Sequence, residues 1–262
     1  MYATNFFEDK MLNLLRGQNI EHPQDGVFLA LFTSDPGDAG TGSEVSYSGY
    51  TRKVINFSDP AVDATGLSMS NVEVITFAEA PSNLSAVVSH VGVMTSQNGG
   101  NMLLYGELTD PLNLQAGITP IFRVGAVKWI WSGNLGDYYR RAIMNTLRGQ
   151  DVTGILQPYI ALCNGDPQQV QGAEFSGPNY ARIALDVTVP AQQDNGSDLC
   201  YNANEIISNE STGNWGTLTH IAIYDAASSG HEYAVIPLGN TFEVTTHTAV
   251  GFHIGSLRFS VN

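Results

Sequence analysis

The chain has 262 residues, 43% of them hydrophobic and 14% charged, which is the composition of a folded protein with room for one large domain or two of about 130 residues. Eleven Lys and Arg against 25 Asp and Glu leave a formal net charge of −14, so a basic surface for a phosphate backbone is not expected, nor is nucleic-acid binding. Cys163 and Cys200 are the only cysteines, too few for a disulfide scaffold or a zinc site, and both are expected to be buried free thiols.

The opening stretch, MYATNFFEDKMLNLLRG, lacks a cationic region followed by an apolar run and a cleavage site. No segment reaches the roughly 18 apolar residues of a membrane span, so a soluble chain without a secretion signal is expected. Within that stretch Phe7, Met11, Leu14 and Leu15 fall at i, i+4, i+7 and i+8, the stripe of a short amphipathic helix. Gly17 follows the last apolar turn, where a residue with positive φ ends a helix without a Cβ penalty, and Arg16 precedes it at the negative end of the helix dipole. Thereafter β-branched and aromatic runs, VFLALFT, TRKVINF, VEVITFA, VVSHVGVM, NMLLYGEL and AVKWIW, alternate with Gly, Asn, Asp, Ser and Pro, the pattern of an antiparallel sandwich.

The second half repeats this order. LNLLRGQ (12–18) returns as MNTLRGQ (144–150), VFLALFTSDP (27–36) as PYIALCNGDP (158–167), SGYTR (48–52) as PNYAR (178–182), SHVGVM (89–94) as THIAIY (219–224), and FRVGAVKWIW (122–131) as FHIGSLRFSV (252–261). The helix stripe recurs as Tyr139, Ile143 and Leu147, followed by Arg148 and Gly149. Its strand runs are PYIALC, ARIALDVTV, EIISN, LTHIAIYD, YAVIPL and SLRFSV. Five blocks in one order at near-constant spacing mark a tandem duplication. The fold expected is therefore mainly β: two homologous antiparallel β-sandwich domains, 1–133 and 134–262, each preceded by a short helix. Gly133 to Gly136 is the candidate linker, and Gly17 and Gly149 are both expected at positive φ.

Several residues invite a functional reading. Asp35, Asp38 and Glu44 could set hard oxygen ligands around calcium, but the spacing is not that of an EF-hand, and the second copy keeps only Asp166 and Glu174. An Asp-Pro turn with the side chain bonded to its own backbone explains Asp35 and Asp166 more simply. The run DNGSD (194–198) also offers oxygens, yet Asn195-Gly196 is a tight-turn signal by itself. His90 and His220 hold equivalent strand positions without the converging ligands that a metal or catalytic site needs. They are expected to bond a loop carbonyl or to pack near Tyr50/Arg52 and Tyr180/Arg182. Those Tyr and Arg pairs lie two residues apart, so both side chains leave one face of a strand. Structural bracing is the expected role for them, with a carbohydrate or partner contact as the alternative. No nucleophile elbow, H-E-x-x-H pair or Walker loop occurs, so no catalytic, metal or cofactor residues are expected and no enzyme.

The blocks VFLALFTSDPGDAGTGSEVSYSGYTRK, VVSHVGVMTSQNGGNMLLYGELTDPL and FRVGAVKW, with LTHIAIYDAASSGHEYAVIPL in the second copy, resemble a family of small phage virion proteins known as tail fibre or Gp80-like proteins. The resemblance implies a structural protein of a tailed-phage particle that is assembled with other phage structural proteins and carries no cofactor. A position in the tail, baseplate or fibre-attachment region is expected first, with a homo-oligomer or a place in a symmetric ring. Capsid decoration on the head exterior is the alternative. A third reading is a module binding host surface glycan through exposed aromatics, with Trp129, Trp131 and Trp215 as candidates, although Trp129 alternates with the expected core of a closing strand.

Overall fold

The computed structural model describes residues 1–64, 66–131, 135–192 and 198–260. In the first unit, β1 (Tyr2–Ala3) and α1 (Asn5–Asn13) lead into β2 (Phe28–Phe32), β3 (Lys53–Val54), β4 (Ala61–Asp63), β5 (Gly66–Ser70), β6 (Ile75–Thr76), β7 (Ala86–Met94), β8 (Met102–Leu114), β9 (Ile121–Phe122) and β10 (Lys128–Trp131). The second unit runs α2 (Asp137–Thr146), β11 (Tyr159–Cys163), β12 (Ile183–Ala184), β13 (Ala191–Gln192), β14 (Asp198–Tyr201), β15 (Ile206–Ile207), β16 (Gly216–Tyr224), β17 (Glu232–Val244), β18 (Gly251–Phe252) and β19 (Arg258–Phe259).

Among the described residues all strand pairings are antiparallel, and the two units share one plan. The main sheet has the order β1-β8-β7-β2-β3 in the first unit and β12-β11-β16-β17 in the second. Smaller sheets β10-β5-β4 and β13-β14-β19, and ribbons β6-β9 and β15-β18, complete each unit. Leu29, Leu31, Val91, Val93 and Leu104 of the first main sheet are buried in the same cluster as Leu67, Met69, Trp129 and Trp131, so the sheets pack face to face. The second copy has no described counterpart of β1 as a strand, but Leu135 bridges Ala234 at the same place and the Gly136 N–H donates to Tyr233 O at 2.7 Å. Of the candidate linker, Gly133 lies outside the described residues, while Leu135 and Gly136 are already bound to β17.

The expected helices are present, with Phe7, Met11, Leu14 and Leu15 all buried and Tyr139, Ile143 and Leu147 likewise. Gly17 (φ 76°) and Gly149 (φ 85°) end them in the left-handed region. In both copies the stop is a Schellman motif. Gln18 N–H donates to Asn13 O and Gly17 N–H to Leu14 O; Gln150 N–H and Gly149 N–H do the same to Asn145 O and Thr146 O. The strands differ from expectation in extent. TRKVINF and VEVITFA each form a strand of two residues only, the former with a further bridge from Phe57 to Asn71, and β8 runs on through Pro111 to Leu114. The strand GLSMS (β5) is additional to the expected set. DNGSD lies outside the described residues except for Asp198, and so does Val261 of the closing run.

The units meet along a seam made of equivalent residues. Ile20 and Val152, 132 positions apart in the repeat, bridge antiparallel, each N–H donating to the other's carbonyl at 2.9 Å. One step out, Asn19 Oδ1 accepts the Gly154 N–H at 2.9 Å, and its counterpart Asp151 Oδ1 accepts the His22 N–H at 2.9 Å. Reciprocal contacts between equivalent groups define an isologous interface, so a local pseudo-twofold axis passes between Ile20 and Val152. Helices cross it: α1 packs on β14 as well as β8, and Arg148 at the end of α2 pairs with Asp59 at 2.6 Å and donates to Phe57 O at 3.2 Å. One continuous buried cluster consequently takes side chains from both units.

At Gly154 the two backbones run close together, and a Cβ there would collide with the backbone of Gly17 and Gln18. Gly154→Ala is expected to push the seam apart at a cost of about 2–3 kcal/mol, read as a lower urea midpoint, whereas Gly172→Ala, at an open turn, is expected to cost about 1 kcal/mol through its positive φ alone.

Candidate functional site

Each unit carries one polar cluster that the duplication has kept whole. Tyr50 leaves the strand-like run before β3 and its hydroxyl accepts the Leu31 N–H at 3.0 Å while donating to Glu44 Oε1 at 2.9 Å. Arg52 grips the same carboxylate with two donors, Nε to Oε1 at 2.9 Å and Nη2 to Oε2 at 2.7 Å. Its Nη1 spans to the β7–β8 hairpin, donating to Ser96 O at 2.9 Å and Gly99 O at 2.5 Å. In the second unit Tyr180, Glu174 and Arg182 repeat these contacts, with Leu162 N–H, Ala226 O and Ser229 O as the backbone partners. A bidentate fork fixes both distance and plane, which a single point charge would not. Burial pushes both tyrosine hydroxyls well above their ordinary range, so they remain protonated donors.

This cluster decides the fate of the loop acids. Glu44 and Glu174 are spent on Arg52 and Arg182, and Asp35 Oδ1 and Asp166 Oδ1 accept the N–H two residues on, from Gly37 and Gln168, at 2.8 Å. Asp38 accepts the Tyr105 hydroxyl at 2.5 Å. Asp35, Asp38 and Glu44 therefore do not converge, and among the described residues no group of three or more His, Cys, Asp or Glu could hold a metal ion.

The histidines follow a β-bulge in both copies, between Val88 and His90 and between Leu218 and His220. Their Nδ1 atoms bond the hydroxyl of the bulged residue, Ser89 at 2.9 Å and Thr219 at 2.8 Å, in place of the expected loop carbonyl. His90 additionally faces Asp35 at 3.6 Å.

Trp129, Trp131 and Trp215 are at most 7% exposed, so the three candidates for a sugar-binding surface belong to the core, as the alternation in the closing strand suggests for Trp129. Trp129 lies against Phe7 of α1, and Trp215 packs on Phe175 and Tyr180 with its indole N–H on Pro178 O. Hydrophobic side chains on an inward-facing strand position are buried whatever their usefulness at a surface.

Sequence reasoning missed a second retained device. Asn71 and Asn202, almost fully buried, each use the whole amide: Nδ2 donates to Glu73 O and Arg123 O in one copy and to Asn204 O and His253 O in the other, and Oδ1 accepts Val127 N–H or Leu257 N–H. The turn they hold, with Gly125 and Gly255 at positive φ, leads into the closing strand. The equivalence of SNVEV and YNANEI at the repeat spacing is the signal that marks them.

Cys163 and Cys200 are buried and unpaired. Burial pushes both thiols up to about 12 from an ordinary 9.0. The folded state therefore keeps thiol protons that the unfolded chain releases above pH 9.0, so this contribution to stability is intact below that pH and lost as pH rises toward about 12.

Two stretches, residues 2–130 and 134–260, each match one family model, described as podophage GP4 fiber I protein gp80. No curated protein matches the chain.

Two outcomes are expected. Neither thiol should react with a disulfide reagent at pH 8 until the chain is unfolded, and the urea midpoint should fall between pH 9.0 and about 12. Arg182→Met, which strands the Glu174 carboxylate, should cost about 3 kcal/mol, and the double variant Glu174→Gln/Arg182→Met should recover part of that loss in the same urea assay.

Proposed function

The chain belongs to the podophage GP4 fiber I protein gp80 family, in two tandem copies, and on that premise we propose that it is a non-enzymatic structural component of the tail, in the fibre-attachment region of the particle. The family match over nearly the whole of both units is the observation that carries this reading. The use of polar clusters supports it: the retained Tyr, Glu, Arg and Asn side chains brace loops and turns. A rigid, doubly braced body suits a part that transmits load between neighbours, and its partners are other structural proteins of the particle.

The seam bears on how such a part assembles. An isologous pair closes on itself, whereas a ring repeat needs a head-to-tail contact between different patches. We propose accordingly that the chain enters the particle as one two-unit block, with any ring contact made by surfaces other than the Ile20/Val152 seam.

Purified particles carrying a gold-labelled copy of the chain test the position by electron microscopy. Label at the tail and its fibre attachments is expected. Label spread over the head surface would overturn the tail assignment in favour of capsid decoration.

A further inference from the structure

The two units carry different side chains on the outer face of the main sheet beside the start of the helix. In the first unit Phe28, Ala30, Phe32, Met94 and Met102, with Tyr105, fill this face with large apolar side chains. The loop after β2 closes over it: Asn5 N–H donates to Asp38 O at 2.9 Å, and Gly40 sits against Met102. The equivalent positions in the second unit are Tyr159, Ala161, Cys163, Tyr224, Glu232 and Val235. Phe has become Cys, Tyr has become Val, and one Met has become Glu. The loop after β11 turns on itself instead, with Gln169 and Val170 N–H on Asp166 O. Ala161, Cys163 and Val235 stay buried with Ala173 of this loop, and beside them, between the loop, the start of α2 and the β16–β17 hairpin, lies a cavity of about 550 Å³ bordered by Tyr224 and Glu232.

Its walls have changed chemistry together. Glu232 and Gln168 meet at 2.6 Å, and the carboxylate keeps further acceptor capacity. Arg140, which replaces Glu8, leans on Asp137 at 3.5 Å, and its Nε is buried without a hydrogen-bond partner. The hairpin cap has been rebuilt too. Where Thr95 Oγ1 caps the Asn101 N–H, Asp225 Oδ1 caps the His231 N–H at 2.7 Å and Asp225 Oδ2 holds the imidazole Nδ1 at 3.1 Å. So fixed, His231 stacks on Tyr138 with ring centroids 3.6 Å apart and planes 11° apart. Tyr138 is 51% exposed and borders both this cavity and a neighbouring one of about 630 Å³ along α2.

We infer that this pocket of the second unit binds a neutral pyranose sugar, with the C–H face of the sugar on the Tyr138–His231 stack and its hydroxyls on Glu232, Gln168 and Arg140. Charge selects the class. An anion would meet Glu232 and Asp137, and a cation would meet Arg140, while a neutral polyol can donate to the carboxylate and accept from the guanidinium and amide. The exposed aromatic stack supplies the flat apolar surface that such a ligand needs for its C–H face. Burial also holds the Glu232 carboxyl above its ordinary value, as expected of a partly desolvated wall. The inference does not depend on where the chain sits on the particle.

Ligand-observed saturation-transfer NMR on the full chain tests it, with the methyl glycosides of glucose, galactose, mannose and N-acetylglucosamine as probes and with glucosamine and N-acetylneuraminic acid as charged comparisons. Transfer to at least one neutral glycoside is expected, exceeding that to either charged sugar. Tyr138→Ala and Glu232→Met, the second restoring the first unit's residue, should each weaken binding by at least about tenfold at an unchanged melting temperature. His231→Asn, again the first unit's residue, serves if either variant fails to fold. No transfer to any neutral glycoside at millimolar concentration, stronger transfer to a charged sugar, or transfer that survives in the folded variants would overturn the inference.

Discussion

At the centre of the joint between the units lie two backbone hydrogen bonds, Ile20 N–H to Val152 O and Val152 N–H to Ile20 O. Because the partners are the same position in two copies of one unit, the bonds can only be reciprocal if the copies are turned about an axis between them. That single constraint brings the end of α2 onto Phe57 and Asp59, seats α1 over β14, and merges two hydrophobic cores into one. Each short helix is thereby buried on two sides, which an isolated helix of about ten residues needs, since helices this short are marginal in water without tertiary packing.

Duplication followed by divergence explains which features recur. Interior devices are duplicated contact for contact: the Schellman stops at Gly17 and Gly149, the Arg52 and Arg182 forks, the bulges before His90 and His220, and the buried amides of Asn71 and Asn202. The Schellman stops, the arginine forks and the amides each bind backbone groups, and leaving such a group buried and unpaired costs about 1–3 kcal/mol. Surfaces carry no such penalty and have drifted apart. Val72, Val74, Ile118 and Ile121 are exposed in the first unit, where the second has Ala203, Glu205, Thr248 and Gly251. Two units that share their skeleton therefore do not offer their neighbours the same face.

Legibility in the sequence followed the range of the forces involved. The helix stripes, their glycine stops and the long strands β2, β7 and β16 depend on neighbours within a few residues, and the pattern shows them. The strand β5 is harder to see because Leu67 and Met69 alternate with Gly66, Ser68 and Ser70, a correct period of two written in residues with little strand preference of their own. TRKVINF pairs with β2 over Lys53–Val54 and then crosses to a different partner, with Phe57 bridging Asn71. Trp129 and Trp131 illustrate the opposite error. Large aromatics suggest a surface for sugars until the strand that carries them is found facing α1 and the main sheet.

The sequence by itself determined that the chain is one unit written twice, mainly β, with a helix at the head of each copy. Repetition at a fixed spacing and local periodicity survive in one dimension, so these conclusions needed no coordinates. Only the tertiary structure decided that the copies pair through equivalent residues and not in series, that Glu44 and Glu174 serve arginines and not a metal, and that a pocket opens beside the second copy's sheet face. Those outcomes rest on contacts between residues far apart in the chain, Ile20 with Val152 or Tyr138 with His231, which exist only once the chain is packed.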